Sequence, residues 1–367
     1  MHWYEIDSIK KIDSPSLIVY ASRAVENIDR LIAMVGGNVN QLRPHVKTNK
    51  MAEVCQMMMD KGIRNYKCAT IAEAEMLGIL KAQNVLIAHQ LMGPKLNRLL
   101  ALIKKFPATK FSCLVDNIET ATSVSNIMVK DGLTIDAYID VNIGMNRSGI
   151  ITDKATTLYN ACATLPAFSI IGLHCYDGHI RETDIRIRNA QADTVFENAD
   201  ALRKKLEALS TSTLVVIMAG SCSFSGHIKR KDIQVSPGTF VFWDGGYKNL
   251  FPDLPFEFAC LVITRIISII DEHTVCTDLG HKAVAAENPM PRVHFLNAPD
   301  ANPVGQSEEH LVVKVHDALK YKVGDVWYGV PVHICPTVAL YDTAIIVNNN
   351  KVVDEWNVVA RKRKITI

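Results

Sequence analysis

The stretch "SIIGLHCYDGHIRETDIRIRNAQADTVFENADALRKKLEALSTSTLVVIMAG", Ser169 to Gly220, sets an apolar run, a long polar-faced segment and a second apolar run in succession. Between the runs, from Asp184 to Leu209, the residues Val195, Ala199, Leu202, Leu206 and Leu209 recur at spacings of three and four, which is the period of one buried helical stripe. Strand, helix and strand in that order make a βαβ unit, whose two strands run parallel because the helix carries the chain back. The same alternation extends outward to Ser14 on one side and to about residue 245 on the other. Its strand candidates are SLIVY (16–20), QLRPHVK (41–47), NYKCA (65–69), NVLIAH (84–89), KFSCLVD (110–116), IDAYIDVN (135–142), SIIGLHCY (169–176) and LVVIMAG (214–220). Eight strands with both faces covered by helices predict an α/β fold of the closed (β/α)8 type, a TIM-like barrel, in preference to an open doubly wound sheet.

After Asp244-Gly245-Gly246 the pattern changes. FACLVITRIISII, HTVCTDLG, HLVVKV, GDVWYGV and TAIIVNNNKVVDEWNVV alternate like antiparallel strands joined by turns such as Asn348-Asn349-Asn350, and no long helical period interrupts them. The expected organisation is a barrel over 13–246 and a mainly antiparallel β domain over 247–367, to which 1–12 contributes a strand.

Composition narrows the function. Forty Lys and Arg against 38 Asp and Glu give a formal charge of +2, so the chain offers no electrostatic footprint for nucleic acid or an acidic membrane. Small-molecule chemistry is the expectation. The nine cysteines form no CxxC pair or regular framework, and MHWYEIDSIKK has no signal-peptide core, which together fit a reducing cytoplasm. No run approaches the roughly 18 apolar residues that a membrane-spanning helix needs.

The chemistry-bearing residues collect where barrel strands end. LRPHVKTNK (42–50) carries Lys47 to the end of a predicted strand, and polar groups at the C-terminal strand ends of such a barrel face its active site. His45, Lys47, Arg147, His174 and Tyr176 and the glycines near 220 would converge there. A lysine in a partly desolvated pocket is a candidate nucleophilic amine, with an ordinary structural ion pair as the competing reading. The segment AGSCSFSGH offers Gly220, Ser221, Ser223 and Ser225, small residues of the kind that cradle a phosphate after the last barrel strands. In VHIC, His333 and Cys335 stand two apart, so on a strand both would face one side and could hold one ion. The competing reading is a buried histidine and an inert thiol.

The motifs RPHVKTNK, DVNIGMNRSG (140–149), GLHCYDGH (172–179), PGTFVFWD (237–244), DLGHKA (278–283), SEEH (307–310) and PVHICPTV (331–338) run in order along nearly the whole chain. They resemble those of the pyridoxal-phosphate enzymes built on an alanine-racemase-type barrel, in the branch that holds D-threonine aldolases and eukaryotic-type D-serine dehydratases. The resemblance implies that Lys47 carries pyridoxal 5'-phosphate covalently and that Tyr176 hydrogen-bonds the pyridine nitrogen, with packing filler as its competing reading. Arg147, permanently charged at a strand end, is a candidate to hold the cofactor's phenolate oxygen or the substrate, with a surface salt bridge as the alternative. The resemblance also implies a divalent metal, Zn or Mn, on His333 and Cys335, a D-β-hydroxy amino acid as substrate, and a homodimer.

Two reactions fit these parts: retro-aldol cleavage of D-threonine to glycine and acetaldehyde, or dehydration of D-serine or 3-hydroxyaspartate to a 2-oxo acid and ammonia. For the first, His179 is the candidate base, since an imidazole titrates near neutrality; capping the following helix is its alternative role. Cys335 favours dehydration, while the compact length and the GLHCYDGH and SEEH framework are equally at home among D-threonine aldolases, the more widespread branch and the expectation taken here. Asn49 and Phe240 depart from the histidine and tyrosine common in this branch. A non-catalytic cofactor carrier is disfavoured by the β domain, and a racemase by the missing motif for its tyrosine base.

Overall fold

The computed structural model describes residues 1–209 and 212–367. Its chain divides into two compact units, one built from Met1–Arg30, Thr48–Val54 and Thr239–Arg361, the other from Leu31–Lys47, Cys55–Gly238 and Lys362–Ile367. The expected ranges, 13–246 and 247–367 with 1–12, differ from this division chiefly in the placement of the first strand. SLIVY forms β1 (Ser16–Tyr20) but lies in the antiparallel unit.

The second unit is the barrel. Its strands are β2 (Asn65–Cys68), β3 (Asn84–Ile87), β4 (Lys110–Val115), β5 (Ile135–Asn142), the two-residue β6 (Ile150–Ile151), β7 (Phe168–Cys175), β8 (Val215–Met218) and β9 (Ile233–Val235). All pair in parallel, in the order β2-β3-β4-β5-β7-β8-β9, with β6 beside β5. QLRPHVK does not form the expected strand. Pro44 has no N–H to give a ladder, and only two bridges survive, Leu42 to Val235 and His45 to Lys67. Those bridges tie β9 to β2 and close the ring with residues 42–45 as the eighth stave. The stave count holds, with β9, which sequence reasoning passed over, in the place assigned to SLIVY.

Leu86, Leu114, Tyr138 and Ile217, from four different strands, pack as one buried cluster. The helix Ile185–Glu207 buries Val195, Ala199, Leu202 and Leu206 as its spacing requires. Leu209 leaves the stripe and is exposed, because the helix ends at Glu207.

The first unit has an antiparallel framework: β10 (Cys260–Asp271), β11 (Thr274–Thr277), β12 (Val293–Phe295), β13 (Asn302–Gln306), β14 (Leu311–Lys314), β15 (Val326–Pro331), β16 (Thr343–Asn348) and β17 (Lys351–Asn357). β1 sits between β10, antiparallel, and β16, parallel. Residues 1–12 add no strand; Tyr4, Ile6 and Ile12 instead pack on Ile18, Tyr20, Leu261, Ile263, Tyr328 and Val330. Asn349 and Asn350 turn β16 into β17 with φ of 48° and 64°, a left-handed pair that asparagine tolerates. Among the described residues, no helix is long and apolar enough to cross a membrane.

Candidate active site

Two lysines mark the barrel site, and they differ in kind. Lys47 follows the closing stave and is exposed. The backbone before it is pinned: His45 N donates to Pro237 O at 3.0 Å, Val46 N to Lys67 O at 2.9 Å, and Lys67 N to Pro44 O at 2.9 Å. The desolvated lysine is Lys67 of β2, only 4% exposed. Burial first, and then the charge of Lys47, bring its pKa down to about 7.

Lys67 Nζ lies 3.0 Å from His174 Nε2, and His174 Nδ1 lies 2.7 Å from Asp140 Oδ1. Asp140 also accepts from Gln90 at 2.7 Å and from Ser148 at 3.0 Å. Its burial opposes ionisation, but these hydrogen bonds outweigh that and hold the carboxyl below its ordinary range. Burial and the neighbouring Lys67 charge lower the His174 pKa. The consistent assignment is therefore a neutral imidazole, with Nδ1–H donating to Asp140 and Nε2 accepting from Lys67.

Tyr176 is half-buried just beyond β7, with Arg147 Cζ 4.8 Å from its ring centroid and Lys67 Nζ 5.5 Å from it. Burial raises its phenol to about 12, so it stays a protonated donor. Close approach explains two neighbouring glycines: a Cβ at Gly178 would come within 2.4 Å of this ring, and one at Gly220 within 2.8 Å. His179 is exposed, its ring against Gly144. It does not cap the next helix; Asp184 does, accepting from Arg186 N at 2.8 Å.

The serine loop after β8 divides its labour. Ser221 Oγ accepts from Gly238 N at 3.1 Å. Ser223 gives its hydroxyl to Asp177 at 2.6 Å, and the other Asp177 oxygen takes His227 Nε2 at 2.8 Å. All three are fully buried, so this network moors the loop to the segment carrying Tyr176. Ser225 and Ser236 hold buried hydroxyls with no hydrogen-bond partner among the described residues. Two orphan hydroxyls and a glycine-lined loop suit a phosphate that would satisfy them.

In the first unit, His333 and Cys335 do not share a strand. β15 stops at Pro331, His333 is the N-cap of the short helix Ile334–Val338, and Cys335 lies within it. The two side chains still meet: burial pulls the His333 pKa down, but a hydrogen bond with Cys335 and the carboxylate of Glu287 outweigh it and raise it to about 9. His333 Nδ1 lies 2.5 Å from Glu287 Oε1, and Cys335 Sγ lies 3.1 Å from Thr48 Oγ1 and 3.5 Å from Thr239 Oγ1. Asp244 is buried behind them, accepting from Tyr247 N at 2.8 Å and Ile334 N at 3.1 Å, and burial pushes its pKa up to about 6. Among the described residues no three His, Cys, Asp or Glu side chains cluster with metal-holding geometry. An imidazole and a thiol at hand for one ion do suit a borderline-soft divalent cation that keeps open positions.

Sequence reasoning brings together His45, Lys47, Arg147, His174, Tyr176 and the serine loop, and the barrel unit contains all of them, with His45 Nδ1 accepting from Lys47 N at 3.2 Å. It missed Lys67, Asp140, Asp177 and Glu287. Lys67 and Asp140 were within reach, since period two places each on the face opposite its apolar neighbours.

Two family models match the chain: "Alanine racemase, N-terminal domain" over residues 20–244 and "Putative serine dehydratase domain" over 259–347. A D-threonine aldolase of an Arthrobacter species is 27% identical over 364 residues, covering 97% of this chain and 94% of that one. A D-threo-3-hydroxyaspartate dehydratase of Delftia sp. (strain HT23) is 22% identical over 297 residues, 77% of this chain and 75% of that one. The crystal structure of a D-threonine aldolase from Filomicrobium marinum superposes with a TM-score of 0.87 at 27% identity, covering 95% of both chains.

Proposed function

The chain belongs to the alanine racemase N-terminal domain family, and from that premise we propose that it is a pyridoxal-phosphate- and divalent-metal-dependent lyase that cleaves D-β-hydroxy amino acids in the manner of a D-threonine aldolase. The observation that carries this reading is the full-length similarity to D-threonine aldolase, together with an exposed lysine at the end of the closing stave.

Pyridoxal phosphate, when bound, supplies an aldehyde that an amine can capture and a ring that drains charge from the substrate's α-carbon; a divalent cation supplies a Lewis acid for the β-oxygen. Lys47 presents the capturing amine. Tyr176, its phenol raised by burial to about 12, would donate a hydrogen bond to the ring nitrogen and leave that nitrogen unprotonated. Arg147, held over the Tyr176 ring, offers a permanent cation to an anionic oxygen. Ser221 and the free hydroxyls of Ser225 and Ser236 are the candidate phosphate donors, while Ser223 holds the loop. His333 and Cys335 would hold the divalent cation. His179, exposed near Gly144, takes the β-hydroxyl proton.

A second reading, dehydration of D-serine or 3-hydroxyaspartate, is favoured by the thiol of Cys335 and by the match of residues 259–347 to a putative serine dehydratase domain. One assay separates them: purified protein with D-threonine, D-serine or 3-hydroxy-D-aspartate, with and without Mn²⁺ or Zn²⁺. Glycine with acetaldehyde is the expected product from D-threonine. A 2-oxo acid with ammonia selects the dehydratase, and no metal-stimulated turnover of any of the three refutes both.

A further inference from the structure

The proposed reaction assigns no task to Lys67, the buried lysine of β2. Lys67 is faced by Lys47 from the closing stave, by Asp140 and Arg147 from β5 and the loop after it, and by His174, Tyr176 and Asp177 from β7 and its extension. Both carboxylates are already committed. Asp140 is shared among His174, Gln90 and Ser148, and Asp177 between Ser223 and His227.

Three cations thus gather, and burial together with the charges of Lys47 and Arg147 outweighs the charges of Asp140 and Asp177, which favour the Lys67 ammonium. Repulsion is relieved most cheaply where desolvation already penalises charge, which is at Lys67. Its contact with His174 needs only one N–H, which the amine has whether charged or neutral. Losing the proton therefore changes the charge of the site and leaves its hydrogen bond standing.

We propose, resting on the cofactor reading above, that Lys67 is a charge-balancing residue for the anionic cofactor: as the phosphorylated pyridine ring binds, Lys67 takes one proton from solvent and holds it as counter-charge. No other bond forms or breaks. The amine's titration close to neutrality makes the coupling visible under ordinary conditions.

The test uses full-length, cofactor-free protein and pyridoxine 5'-phosphate, which has no aldehyde and so leaves the amine chemistry of Lys47 silent. Calorimetry at about pH 8 in two buffers of different ionisation enthalpy counts the protons exchanged. The wild type is expected to take up close to ~1 proton, and its Kd to rise up to about tenfold per pH unit above neutrality. Lys67→Gln keeps an N–H for His174 without the charge, and Lys67→Arg keeps the charge at every pH. Both are expected to bind with no proton uptake and a flatter pH profile, Lys67→Gln more weakly than the wild type at low pH. Binding by the wild type without proton uptake overturns the proposal, as does unchanged uptake in Lys67→Gln. If neither variant keeps the wild-type circular dichroism, Lys67 is structural and the proposal also falls. Should the probe not bind and pyridoxal phosphate not label Lys47, the cofactor reading itself fails, a result distinct from these.

Discussion

The barrel interior around His174 and the corner around His333 hold the same kind of side chain under opposite conditions. His174 is buried and has both ring nitrogens engaged, by Lys67 and Asp140, and burial drives it neutral. His333 is partly exposed, and its thiol and carboxylate neighbours overcome burial to favour the imidazolium. The first arrangement is saturated and fixed before anything binds. The second would have to give up that proton to serve as the proposed metal ligand. One region is a rigid scaffold that sets charge; the other is an opening that accepts it.

Substitutions can break this contrast. Lys47→Ala, which removes the amine but no hydrogen bond of either network, is expected to lose about a thousandfold or more in turnover, along with the visible band of the lysine-bound cofactor. Wild-type absorbance in that variant would show that another residue carries the cofactor. His333→Ala is expected to keep the band and lose roughly a hundredfold in turnover, consistent with a Lewis acid worth several kcal/mol. Activity that survives exhaustive chelation in the wild type would remove the metal role.

Stability changes sharpen the scaffold half of the comparison. At Gly172 of β7 a Cβ would fall 2.0 Å from Val215 O and 2.8 Å from the Tyr138 ring, so Gly172→Ala should cost about 3 kcal/mol or more in denaturant unfolding. Asp140→Asn should cost about 1–3 kcal/mol by unsettling the bonds to His174, Gln90 and Ser148. The sign of its pH dependence follows from linkage. Because the folded Asp140 pKa lies below its ordinary 3.8, the carboxylate stabilises the fold above that value and the contribution fades as pH falls below it. The gap between wild type and Asp140→Asn in urea melts should therefore narrow toward strong acid; a gap constant with pH would separate Asp140 from the network.

Much of this was legible in the sequence. Period two and period 3.6 gave the barrel, the antiparallel unit and most boundaries, since burial alone dictates those patterns. SLIVY was misplaced because a short strand with four consecutive buried residues carries no mark of which sheet it joins. The 41–47 segment was overread as a strand because tertiary bridges, not a ladder, hold it. The exposure of Lys47 and the burial of Lys67 are likewise tertiary facts, and they reversed the expectation of which lysine is desolvated.

The most direct test of the central assignment is chemical. Protein loaded with pyridoxal phosphate is reduced with borohydride, digested and analysed by mass spectrometry. The account predicts the pyridoxyl adduct on Lys47, with Lys67 unmodified. An adduct on Lys67, or on no lysine, would contradict it.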